Sequence, residues 1–362
     1  MDSRPWVRRL LLLILLLCTT GLSAGEALHL YGFGYARGST DADGPLEQET
    51  LTLQLQTGVD WFPSPRVRAH LHLLARDGRP DRENEQLGIV EAWVEANLQR
   101  EAHRVKLRGG AFFLPTSREH VDALWDTPYS LTPSALNLWL GEELRPIGAD
   151  VEYRRGGLTG GLTLFRGNDA FGTLTAARGW SLADHIALLD EEIDVTELTQ
   201  GKRTISQISA ELDDRLGWSG RVRWSGRDAL LQITFVDNRA DGFRYGDILT
   251  WRTPFYVVSG EINRGDWTVA AEHGWGRTFA YIPSGEISTD LEAGYLLVSR
   301  FFPRGRGTVR ADAFAIDGER DYALTAAWIW MLPRRFRAGL EAVTTGDDTR
   351  LLGELRYTFT LR

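Results

Sequence analysis

The sequence predicts an all-β fold, a transmembrane antiparallel β-barrel of about sixteen strands, and three observations lead to this class. Apolar and polar side chains alternate along strand-length stretches, the N-terminus has the form of an export signal, and short connections alternate with long ones. A soluble sandwich of the same strands would bury the apolar face. A barrel turns that face to lipid and the polar face to a water-filled lumen, so it accommodates many charges.

The N-terminus has the parts of a signal peptide that is removed after export. Three arginines precede residues 10–17, which are only Leu and Ile, and small residues follow. We expect cleavage after Gly25 or, as the alternative, after residue 27. The chain then divides into a signal peptide, 1–25, and an outer-membrane β-barrel, 26–362.

Sixteen segments have the two-residue period of a strand with one apolar face. In residues 51–56, for example, every odd position is Leu and every even position is Thr or Gln. The stretch Thr204–Leu212 is either an extra strand, which would raise the count to eighteen, or part of the fourth outer loop. The predicted strands are 27–38, 48–61, 66–76, 87–98, 103–113, 145–154, 158–167, 217–225, 229–238, 249–262, 267–278, 290–302, 307–317, 321–332, 336–345 and 351–361.

The connections indicate which end of the barrel faces which side of the membrane. An even strand count places both termini at the periplasmic end, where the short connections are expected. Aromatic residues cluster beside these short turns, as in the girdle at a membrane interface. The long connections would face outside, notably 77–86, 114–144 and 168–216. Within them, Ser117–Trp125 and the segment after Ser181 have the caps and apolar spacing of helices.

The inward faces carry charges of both signs, which can determine the ions that pass through a narrow pore. If the third outer loop folds into the lumen, its acids form a constriction opposite Arg68, Arg108 and Arg145; if it stays outside, they are a solvated tip. Alternatively, the wall charges pair across strands and only hydrate the wall. The candidate pore-lining residues are Arg68, Glu91, Glu95, Arg108, Arg145, Arg221 and Arg223 on the wall and Glu119, Asp122, Glu142 and Glu143 in the loop.

The residues give little support for catalysis, and we predict no catalytic residues, no metal site and no cofactor. There is no Gly-x-Ser-x-Gly motif, and the only cysteine is Cys18, within the export segment. His70 and His72 share a face without a cluster of further ligands. The net charge of −8 argues against a nucleic-acid partner. A membrane-embedded hydrolase acting on lipid or peptide remains the alternative, because a catalytic triad is recognised by geometry.

The run from Arg108 to Glu119, RGGAFFLPTSRE, resembles the strand-and-loop signature of the phosphate-selective porin superfamily of Gram-negative outer membranes. The resemblance implies a sixteen-stranded, often trimeric channel whose third loop folds into the lumen. Two features depart from the family pattern: Lys106 and Lys202 are the only lysines, and the last residue is Arg362 instead of an aromatic residue. We therefore expect a bacterial outer-membrane channel for passive diffusion of small hydrophilic or charged solutes. Its expected partners are outer-membrane lipid, the solutes and two further copies of the chain in a homotrimer. The residues do not decide between anion and cation selectivity.

Overall fold

The computed structural model describes residues 28–40, 46–47, 50–78, 82–183, 185–196, 202–346 and 348–361. The predicted signal peptide and its cleavage sites lie outside the described residues. Within the described ranges, no helix has both the length and the apolar character needed to cross a membrane.

Sixteen antiparallel strands form a closed barrel, as the alternation predicts. Each strand pairs with the next along the chain, and the first closes on the last, with Leu30 opposite Leu361. The strands are β1 (Leu28–Ser39), β2 (Leu51–Ser64), β3 (Val67–Arg76), β4 (Leu87–Arg100), β5 (His103–Ala111), β6 (Ile147–Arg155), β7 (Leu158–Arg166), β8 (Gly217–Ser225), β9 (Ala229–Asp237), β10 (Phe255–Arg264), β11 (Trp267–Ile282), β12 (Gly285–Phe302), β13 (Gly305–Ile316), β14 (Glu319–Met331), β15 (Phe336–Thr345) and β16 (Asp348–Leu361).

The two faces of the wall have opposite chemistry. In β16, Leu351 and Leu355 are exposed on the outer face, whereas Arg350 and Glu354 are buried on the inner face. The same alternation runs through the other strands, because lipid and lumen alternate as the surroundings of successive residues. The outer face is therefore apolar and the inner face polar and charged.

The two ends of the barrel differ. The turn end holds the start of β1, the end of β16 and seven connections of two to four residues. The loop end holds the long connections, among them loop 3 (residues 112–146) and loop 4 (residues 167–216). Two connections at the loop end are also tight, at residues 283–284 and 317–318, because β11, β12 and β14 extend further towards this end than predicted.

The ambiguous stretch Thr204–Leu212 belongs to loop 4 and adds no strand to the barrel. Ile205 and Ser206 pair with Asp194 and Ile193, within a separate small sheet above the loop end. The predicted strand 249–262 starts later, at Phe255, because its first residue joins the same small sheet. The five short strands of this sheet are Arg82–Glu83, Glu192–Asp194, Ile205–Ser206, Arg244–Tyr245 and Ile248–Leu249.

The helices lie elsewhere in the loops than the sequence suggested. Loop 3 contains α1 (Ala135–Glu143) and loop 4 contains α2 (Thr173–Arg178). The prediction for Ser117–Trp125 was wrong: Ser117 accepts hydrogen bonds from the backbone of Glu119 and His120, but only a three-residue 3-10 turn, Ala123–Trp125, follows, and Leu124 within it has a left-handed backbone. No helix follows Ser181 in the described residues either.

Aromatic side chains form belts at both ends of the barrel, whereas the sequence indicated one. The turn end has the predicted belt, which includes exposed Tyr153, Trp224 and Trp267. Towards the loop end a second row crosses β8 to β11 with ring centroids 4.6 to 5.5 Å apart. Two girdles separated by an apolar band are typical of a barrel that crosses a membrane. The second row consists of Trp218, Phe235, Tyr256 and Trp275.

Candidate functional site

Loop 3 folds into the barrel lumen. Gly110, near the end of β5, has φ +132°, and a Cβ there would lie 2.2 Å from the carbonyl oxygen of Ala92. Only glycine fits this conformation, which leads the chain off the wall. All nine residues of α1 are buried, and loop 3 contacts inward-facing side chains of β11, β13 and β15. The structure therefore has the inward arrangement of loop 3.

The helix α1 is defined by its caps and by its apolar surface. The side chain of Ser134 accepts a hydrogen bond from the backbone N–H of Asn137 at 3.3 Å, which satisfies one free donor of the first turn. The helix ends at Glu143, shortly before Pro146, which cannot continue it. Its residues are apolar on almost every side, as expected for a helix enclosed on all sides.

Arg310 of β13 anchors loop 3 to the wall. Its fully buried guanidinium donates to Glu119 Oε1 at 2.7 Å and to the carbonyl oxygens of Thr132 and Pro133 at 2.8 and 3.0 Å. Its Nε donates to Asp312 Oδ2 at 2.8 Å. One arginine from the barrel wall thus forms ion pairs with two buried carboxylates and donates to two loop carbonyls, an arrangement that fixes the position of the loop.

Glu119 joins this anchor to the start of α1. Its Oε2 accepts hydrogen bonds from the backbone of Ser134 at 2.9 Å and from the side chain of Asn137 at 3.1 Å. Burial alone would raise the pKa of Glu119, but Arg310, helped by His120 and by Ser134, lowers it below the ordinary value. Glu119 therefore stays charged inside the lumen.

Two further carboxylates of the wall hold loop 3. Glu341 of β15 accepts from the backbone N–H groups of Leu131 at 2.6 Å and Thr132 at 3.2 Å. Glu272 of β11 accepts from the side chain of Asn137 at 2.7 Å. Together with Arg310, these contacts tie the loop to three well-separated strands of the barrel.

Loop 4 also enters the lumen and packs on loop 3. Glu143 accepts a hydrogen bond from the backbone of Leu174 at 2.8 Å and another from the indole of Trp139, and Glu142 forms an ion pair with Arg178. The two acids predicted to line a constriction therefore join the two loops to each other. Loop 3 and the described loop-4 residues that precede the small sheet form one plug.

Arg145, also predicted to line the pore, lies inside this plug. Its Nη1 donates to the carbonyl oxygens of Val90 at 2.9 Å and Ala187 at 3.1 Å. Its guanidinium carbon lies 3.7 Å from the ring centroid of Phe113, whose N–H donates to Glu91 at 2.9 Å. Burial lowers the pKa of Arg145, although Glu91 opposes this effect. Arg145 and Glu91 thus stabilise the seating of the plug against β4.

The wall charges nearest the turn end form cross-strand pairs. Arg68 donates to both oxygens of Asp60, at 2.8 and 2.9 Å, and the same carboxylate lies 2.7 Å from Nδ1 of His70. Arg108 donates to Glu95 at 2.7 Å. Arg68 and Arg108 remain partly exposed, so these pairs border open space in the lumen.

A second group of charges lies on β5, β6 and β8. Arg221 donates to the two oxygens of Asp150 at 2.7 and 2.9 Å and to Glu152 at 3.2 Å. Arg223 and Lys106 approach Glu152 at 3.7 and 3.8 Å. Most predicted wall residues therefore pair across strands, as the alternative reading of the wall expected, and none of these pairs involves a loop-3 acid.

Asp122 is the one predicted loop-3 acid that is exposed. Surrounding loop atoms partly desolvate its carboxyl, and this desolvation, together with repulsion from Asp126, raises the pKa of Asp122. The next residues, Leu124 and Trp125, have φ values of 63° and 55°, a left-handed conformation that strains side chains larger than glycine. Packing of Leu124 on aromatic residues of β1 maintains this strained tip.

A small polar cavity of about 20 Å³ lies between the plug and the wall of β1, β2 and β16. This volume holds about one water molecule. Two ion pairs border it: Arg37 with Glu354 and Arg356 with Asp126, both at 2.5 Å. None of the four belongs to the candidate pore-lining residues that the sequence analysis named. The lining includes Tyr35, Arg37, Gln56, His120, Asn137, His185 and Arg356.

Among the described residues, one group of three carboxylates is close enough to share a cation. The ligand atoms of Asp169, Glu211 and Asp213 lie within 4.8 Å of one another at the loop end. Burial, with repulsion from Asp213 and Glu211, raises the pKa of Asp169 to about 7. Backbone N–H groups already bind the cluster, since Leu212 donates to Asp169 at 2.6 Å.

Comparison with known proteins gives structural likenesses only. No model of a known protein family matches the chain, and no curated protein matches it in sequence. Three solved structures resemble it over 92% of its length. OmpT, an outer membrane protein of Vibrio cholerae, matches as a loop-deleted form (TM-score 0.58, 9% identity, 99% of that chain) and as an in-vitro folded trimer form (0.56, 11%, 99%). A substituted variant of the Rh. blastica porin matches with a TM-score of 0.51, 13% identity and 100% of that chain.

At such identities these likenesses show the fold alone. The chain has the fold of a porin-like outer-membrane barrel with sixteen strands, in agreement with its own topology.

Proposed function

We propose that the protein is an outer-membrane channel through which small hydrophilic or charged solutes diffuse passively. The observation that carries this proposal is a closed sixteen-stranded barrel whose inner face is charged and whose lumen contains an inward-folded loop. Fixed charges in a narrow aqueous pore select among ions and penalise apolar solutes.

The proposed path runs between the plug and the wall of β1, β2 and β16. The cavity there holds about one water molecule, and charges of both signs border it, among them Arg37, Arg356 and Asp126. Towards the turn end the path passes the partly exposed Arg68 and Arg108. We therefore expect small conductance steps in this conformation and larger ones when the plug moves.

We also propose, as finer statements, that the protein belongs to the phosphate-selective porin superfamily and forms a homotrimer. The run from Arg108 to Glu119 supports the first, since Gly110 and Glu119 have clear structural roles in directing and anchoring loop 3. The trimer form of the Vibrio cholerae protein supports the second. Cross-linking of the membrane-embedded protein, followed by gel electrophoresis, would test the trimer.

A barrel hydrolase acting on lipid or peptide is the alternative, and one observation favours it. Asp60 and His70 form a hydrogen bond of 2.7 Å, and such a bond orients an imidazole so that it can act as a general base. In the described part of the chain, however, no hydroxyl group is hydrogen-bonded to His70, and its ring stacks on Trp93 with centroids 4.7 Å apart. Hydrolysis of phospholipid or casein by the pure protein, abolished in His70→Ala, would favour the enzyme.

Planar-bilayer recording tests the channel proposal directly. The purified protein, with its folded state verified by altered gel mobility before and after heating, is added to one chamber under a salt gradient. We expect discrete conductance steps, and the reversal potential gives the sign of selectivity. The same preparation unfolded by heat is the control. Folded protein that inserts into the bilayer without any conductance would contradict the proposal.

A further inference from the structure

The turn end of the barrel is strongly basic, although the whole chain has a net charge of −8. The seven turns, taken with two residues on either side, contain thirteen arginines and only three acidic residues. Ten of these arginines are exposed. Among the residues that the structure describes, none of the ten forms an ion pair, so within this part of the chain their charges have no direct carboxylate partner.

Four exposed arginines at this end lie on the lipid-facing side of the wall; three belong to the ten counted above, and the fourth, Arg300, lies one residue outside the counted stretches. Arg100, Arg155, Arg264 and Arg300 follow exposed apolar residues at a spacing of two, for example Leu98 before Arg100, so they continue the same outer face. They therefore lie where the apolar band of the barrel ends and the headgroup layer begins.

Aromatic side chains of the turn-end belt accompany these arginines. The guanidinium carbon of Arg300 lies 5.0 Å from the ring centroids of both Trp267 and Phe302. Arg264 is paired with Trp267 across the ladder, and Arg155 is two residues from Tyr153. Trp and Tyr favour the headgroup level of a bilayer, so the positions of their rings place the guanidiniums at the same depth.

We propose that the turn end binds the anionic headgroups of phospholipids in the leaflet around it, through Arg100, Arg155, Arg264 and Arg300. A guanidinium presents two parallel N–H donors that match a phosphate diester, and basic residues near an anionic bilayer surface gain affinity in proportion to their number. Headgroup phosphates thus supply the counterions that the protein lacks at this end. The outward direction of the four side chains favours lipid over solutes in the lumen.

Native mass spectrometry of the full-length protein tests this, in micelles with equal phosphatidylglycerol and phosphatidylcholine. The variant replaces all four arginines with Gln. Its matched control replaces Arg166, Arg203, Arg277 and Arg320, which are exposed at the loop end and already ion-paired. We expect wild type and control to retain phosphatidylglycerol preferentially, and the ratio to fall about tenfold in the variant. Unchanged heat-dependent gel mobility verifies that both are folded.

Three results would overturn the proposal. The first is a wild type with no preference for phosphatidylglycerol, and the second is an equal loss of preference in the control. The third is complete competition by millimolar inorganic phosphate, which would indicate a site for free anions. If the wild type lacks the lipid preference but co-sediments with peptidoglycan sacculi, the partner is the carboxylates of the cell wall.

Discussion

Substitution of Arg310 by Met removes the main anchor between the plug and the barrel wall. Arg310 is fully buried and neutralises Glu119 and Asp312, at 2.7 and 2.8 Å. Removing one partner of a buried ion pair costs about 3–5 kcal/mol, because the remaining charge loses its counterion. Here the loss of stability affects the equilibrium between the seated and the released loop 3, because the hydrogen bonds between the strands do not involve this side chain. The ratio of seated to released plug should fall by about two to three and a half powers of ten.

Single-channel recording and limited proteolysis would measure this effect. Arg310→Met should give larger and noisier conductance steps, and trypsin should cut more rapidly after Arg118 in loop 3. The control is Arg221→Met, which breaks a buried pair with Asp150 but does not touch loop 3. It should lower thermal stability without raising conductance. Wild-type conductance and proteolysis in Arg310→Met, or the same increase in Arg221→Met, would refute the role assigned to Arg310.

Three further predictions concern the plug. Asp122→Asn should shift the reversal potential towards anions, because Asp122 is the exposed acid of loop 3; Asp228→Asn, in a turn, is the control, and an equal shift there would remove Asp122 from the path. The pKa of Glu119 is lowered in the folded protein, so its stabilising negative charge is fully present at any pH above the ordinary carboxyl pKa. Release of loop 3, monitored by limited proteolysis, should therefore begin only below about pH 4. Release near pH 6 would contradict this. Trp139→Ala removes a buried ring stacked on Phe171 and should destabilise the plug by about 3–5 kcal/mol, as measured by thermal unfolding. The control is lipid-facing Trp224→Ala, and a similar loss of stability there would contradict the role of Trp139 in plug packing.

The strands could be predicted from the sequence because successive residues of a membrane barrel face lipid and lumen in turn, and each environment selects its own kind of side chain. In β2, Leu51, Leu53 and Leu55 face lipid while Gln54 and Gln56 face the lumen, and no distant residue is needed to recognise this. The ends of the strands were harder to predict than their central residues. Residues 285–289, for example, extend β12 with outward-facing Glu286 and Ser288 in place of apolar residues, so the alternation was hidden.

The plug could not be predicted to the same extent, because its partners are remote in sequence. Glu119 and Arg310 are 191 residues apart, and Leu131 and Glu341 are 210 apart. The sequence identified Glu119 as important but could not choose Arg310 over other lumen arginines. The cap of α1 was readable, since Ser134 precedes an apolar run, and it was overlooked in favour of Ser117. The part of loop 4 in the plug had no local signal that distinguished it from an exposed loop.

The anchoring of loop 3 also has a consequence for the order in which the barrel assembles. Loop 3 is synthesised early, after β5, but its wall partners Glu272, Arg310 and Glu341 belong to β11, β13 and β15. The seam between β1 and β16 joins residues more than 300 positions apart and completes the wall. Such distant contacts form slowly, because a large loop of chain must first be closed. The nascent protein therefore carries an unanchored, apolar α1 until its C-terminal third has been added, and buried Arg37 of β1 meets Glu354 of β16 only when the seam closes.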